Sequence, residues 1–330
     1  MLTAETMLTS ELRVILRCVA CQRELHDQSE QGYACTSCGR SYPLARNVIR
    51  FVDAYNYADS FGYQWQRYSR TQLDTAQRHV SETNFRKRTG FSPEELQGKF
   101  VLDVGCGTGR YAEVATRWGA HVVGVDLSVA AEVAARNLVG REFAALQADV
   151  FELPFAPESF DYIYCIGSLH HTPDCEKAVK LLPAFLKPGG SVAVWLYSGY
   201  NKWYRFSDIY RKLTCRMSAR TLHGLLRVAV PSLYWLDRGL RSVPAVGRPL
   251  AGAVHHIFPV IRHKDSEMRI LDTFDWYSPR YQSKHTYEQV FRWFESCGLV
   301  DLRVNGIPIA VRGRKPIVVS RTVDLQNSGI

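Results

Sequence analysis

The stretch VLDVGCGTGRY, residues 101–111, constrains this chain more than any other: three glycines on alternate positions follow an apolar, β-branched run and precede a helical pattern. Gly105 and Gly107 let the backbone turn tightly and let a ligand lie against it, and Gly109 lets the following helix pack close to the strand. The same texture then repeats. KFVLDV and HVVGVD read as strands, and TGRYAEVATRWG and SVAAEVAARNL carry apolar residues at helical period. FAALQAD, FDYIYCIG and SVAVWLY read as further strands, with KAVKLLPAFLK as a helix ending before Pro188, Gly189 and Gly190. Such alternation predicts an α/β, doubly wound parallel sheet covered by helices on both faces. In an open sheet of this kind nucleotides bind at the carboxyl ends of the strands, where the glycine loop falls.

Acidic residues at three successive strand ends define what the loop can hold. Asp126 ends the second strand at a spacing suited to gripping a ribose through both hydroxyls. A dinucleotide site would read G-x-G-x-x-G and set a pyrophosphate on the helix N-terminus, where an acidic neighbour repels it. Here the triplet is G-x-G-x-G and Asp103 sits just before it, which suits a ligand carrying an ammonium or sulfonium charge. Asp149, in QADVFELPF, is placed to accept a hydrogen bond from an adenine amino group while Val150 offers its backbone N–H. Any one of these acids alone also fits a solvated loop residue.

The chain has nine cysteines, and four are grouped: Cys18 with Cys21 and Cys35 with Cys38, two C-x-x-C pairs in a turn-rich segment. Each pair is a knuckle that points two thiolates at one ion, and two knuckles complete a closed tetrahedral shell, a structural zinc site without an open position. Cys106, Cys165, Cys175, Cys215 and Cys297 read as small apolar packing residues. The first residues, with Glu5 and Glu11, lack a sustained apolar h-region and cleavage site, and the apolar run PLAGAVHHIFPVI is too short to span a bilayer. The expectation is a cytoplasmic protein in a reducing compartment.

Changes of texture divide the chain into a ribbon (1–53), a polar and partly helical connector (54–94), the nucleotide core (95–200), a helical lid insertion (201–270) and a closing segment (271–330) with a helix at YEQVFRWFESCG and strands at VDLRVNG and PIVVSRT. Residues 201–330 hold 21 Lys or Arg against 10 Asp or Glu, whereas residues 1–200 hold 20 against 22, so the excess positive charge lies in the half that carries the insertion. Such a surface fits an anionic substrate group, an anionic membrane face or nucleic acid, or is simply a solvated basic face. Trp276, Tyr277, Arg280 and Tyr281 cluster with His285 before the closing helix and read as a pocket wall, suited to a sugar or a ring with an anionic group. Tyr277 and Tyr281 fit ordinary core packing at i, i+4 equally well.

Taken in order, VLDVGCGTGRY, VVGVDLS, ADVFELPF, FDYIYCIGSLHH and LKPGGSVAVWLY resemble the successive motifs of class I S-adenosylmethionine-dependent methyltransferases of the ubiquinone/menaquinone type, the methyltransferase type 11 superfamily. The resemblance implies a Rossmann-like methyltransferase sheet and S-adenosylmethionine as cofactor. It implies that Asp103, Gly105, Cys106, Gly107 and Gly109 line the methionine part of that cofactor, that Asp126 and Leu127 hold ribose and adenine, and that Asp149 and Val150 read the adenine edge. Ile166 and Gly167 back the methionine moiety. His170 and His171 follow the fourth strand, on the side where the cofactor's methyl group points in this fold, and a neutral imidazole there takes a hydroxyl proton. His171 is the first candidate and His285 a further one; one of the adjacent pair is also well placed as a packed residue.

The cysteine segment resembles the zinc-binding domain of small methyltransferase activators, which implies structural Zn2+. That module does not indicate the substrate; the insertion at 201–270, apolar, too short in its apolar runs to cross a membrane and interleaved with arginines, leads to the expectation of methyl transfer to oxygen on a sugar-like, phenolic or lipid-linked small molecule of a biosynthetic pathway, with peripheral membrane contact through those residues. The alternative is an RNA methyltransferase that uses the ribbon as RNA reader, as a related ribbon does in ribosomal RNA guanine methyltransferases. Against it, the position after the fourth strand reads GSLHHTP rather than the Pro-Pro motif of amino-directed nucleic-acid methylation.

Overall fold

The FVLDV run is buried at all five positions, so a strand there has to be covered on both faces, and the chain supplies helices to do it. The computed structural model describes residues 7–53, 56–75, 79–200 and 205–317. Glu5, the first four residues of the insertion and the part of PIVVSRT from Val318 onward lie outside the described residues. The strands of the cysteine-rich segment are β1 (Leu25–Asp27), β2 (Gly32–Cys35), β3 (Ser41–Ala45) and β4 (Val48–Arg50). Those of the core are β5 (Phe100–Val104), β6 (His121–Asp126), β7 (Phe143–Gln147), β8 (Phe160–Ile166) and β9 (Leu186–Trp195), and β10 (Val300–Val304) and β11 (Ala310–Arg314) close the fold.

All eleven form one sheet in the order β1-β2-β3-β4-β7-β6-β5-β8-β9-β11-β10. The six strands from β4 to β9 in that order run parallel, and antiparallel ladders flank them on each side. This is the α/β Rossmann-like sheet the alternation predicts. One apolar cluster, with Leu102, Val123 and Ile163, covers one face together with the ribbon's Leu16 and Tyr42; a second, with Phe85, Val101 and Val122, covers the other.

The ribbon is not a separate bead. Val48 and Ile49 are buried because β4 pairs in parallel with β7, Val48 opposite Ala145 and Ile49 opposite Leu146, so the cysteine hairpins continue the core sheet at its edge. The helix expected at KAVKLLPAFLK spans only Cys175–Leu181. Pro183 cannot continue the hydrogen-bond ladder, a 3-10 turn follows, and β9 begins at Leu186 and runs through Pro188, Gly189 and Gly190. The last strand among the described residues is Ala310–Arg314, which lies antiparallel on β9; Pro316 and Ile317 carry no strand. The insertion forms helices Arg205–Thr214, Ala219–Arg241 and Gly247–Ile257. The boundary drawn after residue 270 falls inside helix Ser266–Tyr277, whose start is fixed by Asp265 accepting from the N–H groups of Glu267 and Met268. Among the described residues no helix is long and apolar enough to cross a membrane.

Candidate active site

The carboxyl ends of the core strands open onto a cavity of about 710 Å³. The glycine loop forms one wall. Gly105 has φ +78°, and a Cβ there would fall 2.0 Å from Ser168 Oγ, which itself donates to the Val104 carbonyl at 3.0 Å; no side chain fits. Gly107 (φ +54°) faces the indole of Trp65. Asp126 ties this loop to the next: one carboxylate oxygen accepts from the Gly107 N–H at 2.9 Å, the other from the Ser128 N–H at 2.9 Å and its hydroxyl at 2.7 Å. Burial pushes the Asp126 carboxyl above its ordinary range. Cys106, Leu127, Asp149, Val150, Ile166 and Gly167 also line the cavity. Leu127 is held through its carbonyl, which accepts from Asn56 Nδ2 at 2.8 Å and Gln147 Nε2 at 3.0 Å.

Two residues expected at the cofactor do not line the cavity. Asp103 sits inside β5, opposite Gly124 and Tyr164 on its neighbours, and is 2% exposed with Oδ2 lacking a hydrogen-bond partner among the described residues. Burial pushes its carboxyl up to about 8. Gly109 (φ +80°) starts helix Arg110–Arg117, and a Cβ there would stand 2.8 Å from Leu138 Cδ1 and 3.4 Å from Ala134 Cα, so the close packing it permits is against helix Ala130–Asn137 and its C-cap rather than against the strand the sequence suggested.

The three histidines separate cleanly. His171 lines the cavity. Its Nδ1–H donates to the Tyr281 carbonyl at 3.0 Å, which leaves a lone pair on Nε2, a buried atom with no partner among the described residues. Burial holds its pKa below the usual histidine value, so the ring is neutral. His170 is fully buried behind it, stacked on Tyr197 at 3.8 Å between ring centroids, and does not line the cavity. His285 also lies outside: its Nε2 is 2.7 Å from Ser283 Oγ and its ring packs on Trp293 at 5.0 Å.

Of the aromatic cluster only Trp276 reaches the cavity. Tyr277 is part of the insertion's own apolar core, its hydroxyl donating to the Pro259 carbonyl at 2.8 Å. Arg280 is exposed, with its guanidinium over the Tyr281 ring. Tyr281 contributes its carbonyl to His171 and sets its ring edge-on to Tyr57 at 5.4 Å.

The sequence reading missed two walls. Tyr57, Phe61 and Trp65, on and just before helix Asp59–Arg67, lie over the glycine loop side; the helical spacing of Phe61 and Trp65 was visible in FGYQWQRYSR but read as a connector, and Tyr57 precedes that stretch. Asp272 and Asp275, at i, i+3 on helix Ser266–Tyr277, face the cavity from the other side. Asp275 accepts from the Tyr197 hydroxyl at 2.6 Å, and burial together with the Asp275 charge pushes Asp272 up to about 6.

Away from the cavity, the sulfur atoms of Cys18, Cys21, Cys35 and Cys38 all lie within 4.8 Å of one another. The Cys18–Cys38 and Cys21–Cys35 separations, 3.5 and 3.4 Å, are close to the edge of about 3.8 Å that a tetrahedron with Zn–S bonds of about 2.3 Å requires. Burial pushes the Cys18 thiol up, but hydrogen bonds from Tyr42 and the backbone of Cys21 and Ala20 outweigh it and bring the group down to about 6. The donor set fits a structural zinc ion.

A glycine loop and strand-end acids around one deep cavity define a nucleotide-cofactor enzyme of the Rossmann-like type. Residues 102–194 match the family described as a methyltransferase domain. The chain is 34% identical over 165 residues to the ubiquinone biosynthesis O-methyltransferase of Alkalilimnicola ehrlichii, across 49% of this chain and 66% of that protein. It is 30% identical over 160 residues to the protein of the same name from Stutzerimonas stutzeri, across 46% and 68%. Against a sterol 24-C-methyltransferase of Gibberella zeae it is 29% identical, and the match spans 55% of this chain and 45% of that one. Among solved structures, phosphoethanolamine N-methyltransferase 2 of Haemonchus contortus with S-adenosyl-L-methionine superposes with a TM-score of 0.41 at 20% identity, covering 76% of this chain and 43% of that chain. An S-adenosylmethionine-dependent methyltransferase of Mesorhizobium loti gives 0.42 at 17%, covering 71% and 98%. The chain belongs to the class I S-adenosylmethionine-dependent methyltransferases.

Proposed function

We propose that this enzyme methylates a hydroxyl oxygen on a small amphipathic acceptor, sugar-like, phenolic or lipid-linked, with His171 as the base. The observation that carries the reading is the fixed tautomer of His171: Nδ1–H is committed to the Tyr281 carbonyl, so the Nε2 lone pair is left for a proton. S-adenosylmethionine supplies an activated methyl group when bound, which leaves the protein the tasks of alignment and water exclusion. Gly105, Cys106, Gly107, Ile166 and Gly167 would hold its methionine end, Asp126 and Leu127 its ribose and adenine, and Asp149 with Val150 the adenine edge. Asp103, kept largely neutral by burial beneath the loop, orders that end from below rather than touching it.

On the acceptor side, Phe61 and Trp276 offer apolar surface while Asp272 and Asp275 accept hydrogen bonds. Carboxylates there favour hydroxyl groups over an anion, so the anionic handle that Arg280 suggested has no place in the reading. The relatives named for ubiquinone biosynthesis are O-methyltransferases, which supports oxygen as the acceptor atom. For the cysteine cluster the reading is one structural Zn2+ held by Cys18, Cys21, Cys35 and Cys38. The test is mass spectrometry of cell extract incubated with enzyme and deuteromethyl-labelled cofactor. A product labelled on oxygen, formed far more slowly with His171→Ala, is the expected outcome; a label on RNA, nitrogen or carbon would sink it.

A further inference from the structure

We infer that the outer face of the lid insertion docks on an anionic lipid bilayer. Helix Ala219–Arg241 buries one side, with Leu222, Leu226 and Val230 facing the insertion's own core. Its opposite side recurs at helical spacing as Leu225, Val228, Trp235 and Leu236, which are 47% to 70% exposed. The surface continues across the turn through Val246 to Leu250 on helix Gly247–Ile257, at 65% and 50% exposure. Scattered exposed apolar residues are ordinary; a contiguous strip on neighbouring elements marks a docking surface.

Charge decides what it docks on. Between Arg216 and Arg262 the chain carries seven arginines and one acid, Asp237. Asp237 is spent internally, holding Arg241 at 2.9 Å and Arg262 at 2.6 Å. Arg220, Arg227, Arg238 and Arg248 are exposed and have no carboxylate partner among the described residues. Arg220, Arg227 and Arg238, at i, i+7 and i+18, run along one flank of the apolar strip. An apolar face with a basic flank is the pattern of a helix that lies in a membrane interface, and it is not long or apolar enough to cross. A second copy of this chain would bring arginines against arginines, and a phosphate backbone has no use for the leucine, valine and tryptophan. The same insertion lines the cavity through Ser207, Ile261 and His263, so docking sets the acceptor site beside the bilayer. The inference rests on the reading of an acceptor with an apolar portion and narrows it to one drawn from lipid.

The test is co-sedimentation of the full chain with vesicles of phosphatidylcholine alone and of equal parts phosphatidylcholine and phosphatidylglycerol. Binding to the anionic vesicles only, weakened by added salt, is expected. Replacing Arg220, Arg227 and Arg238 together by Gln should lower the partition on the order of a hundredfold, at about fivefold per arginine. The pair Val228→Asp and Trp235→Asp should abolish it. These positions are exposed, so thermal unfolding and cofactor titration should match wild type and certify the fold. Wild type left in the supernatant, variants that bind as well as wild type, a dimer that the aspartate pair dissolves, or retention on RNA but not on vesicles each overturns the proposal. Methyl transfer to a detergent-dispersed or soluble acceptor is read separately, so a failure to dock is distinguishable from a failure of the O-methylation reading.

Discussion

Arg50, the last residue of β4, donates a hydrogen bond to the carboxylate of Glu132 on helix Ala130–Asn137. The Glu132 side chain is 2% exposed, and Arg46 in the turn before β4 reaches its other oxygen at 2.8 Å. Two arginines of the cysteine-rich segment thereby neutralise a buried carboxylate of the nucleotide core. That helix follows the loop carrying Leu127, so the pairing also steadies the expected adenine wall. Glu132→Ala removes the acceptor and leaves Arg50 partly buried without its carboxylate, which should cost on the order of 3 kcal/mol in urea unfolding. A loss under about 1 kcal/mol would mean that the pair behaves like a solvated surface contact.

Metal content tests the cluster next to it. The purified chain should carry one equivalent of zinc, and Cys38→Ser, at the exposed member of the set, should lose it without disturbing a packed core. Because the ribbon continues into the sheet through β4 and β7, chelation should lower the Tm of the whole chain rather than melt a separate domain. Two resolved thermal transitions after chelation would contradict the continuous sheet.

Asp126 supplies acceptors to two loops at once and is expected to trade part of that network for ribose hydroxyls. Asp126→Ala should weaken cofactor binding on the order of a hundredfold by calorimetry, the value of about two charge-assisted hydrogen bonds. Asp126→Asn keeps the shape and should fall between. Equal affinity in all three proteins would remove Asp126 from the site.

Most of the core was legible because parallel strands buried on both faces advertise themselves as apolar runs, and the glycine loop has one natural place after the first of them. The cavity's aromatic wall was visible as a helical stripe in FGYQWQRYSR, but nothing local says that a stripe packs over a ligand rather than over a sheet. Asp272 and Asp275 were hidden for a similar reason: Tyr197 and His171, which Asp275 faces, and Arg110, whose charge reaches Asp272, are all distant in sequence, and only the tertiary fold brings helix Ser266–Tyr277 to them. The extent of the sheet was missed because β4 looks like the second half of a hairpin, and its parallel pairing with β7 spans about a hundred residues of chain. Tyr277 and Tyr281 at i, i+4 carried two readings, and burial resolves Tyr277 as core.

Asp103 makes the chain's stability depend on pH in a direction opposite to that of an ordinary paired carboxylate. Its folded pKa is raised to about 8 from 3.8, chiefly by burial, so the folded chain binds the proton that the unfolded chain has already released. That contribution is complete below about pH 4 and is lost as the pH rises through about 8. Asp103→Asn should therefore gain stability relative to wild type at about pH 9 and gain little at about pH 5, measured as urea midpoints. A difference that does not change with pH would show that Asp103 is ionised in the folded protein.

His171 gives the sharpest functional test, because its geometry assigns the tautomer and its burial assigns the charge. With Nδ1–H on the Tyr281 carbonyl, only Nε2 is free to take a proton, and burial keeps the ring's pKa below 6.5. The base is therefore unprotonated throughout the neutral range, and turnover should fall only as the pH drops below about 6.5, further to the acid side than an exposed histidine would place it. Stability follows the same sign: the folded chain resists the proton that the unfolded chain accepts, so the contribution is present above about pH 6.5 and declines below it. His171→Ala should lower kcat on the order of a hundredfold or more, abolish that acid limb and leave cofactor affinity nearly unchanged. His170→Phe, which replaces the buried ring stacked on Tyr197, is the control, and it should alter stability far more than the pH profile. Retention of the acid limb in His171→Ala would show that another group takes the proton.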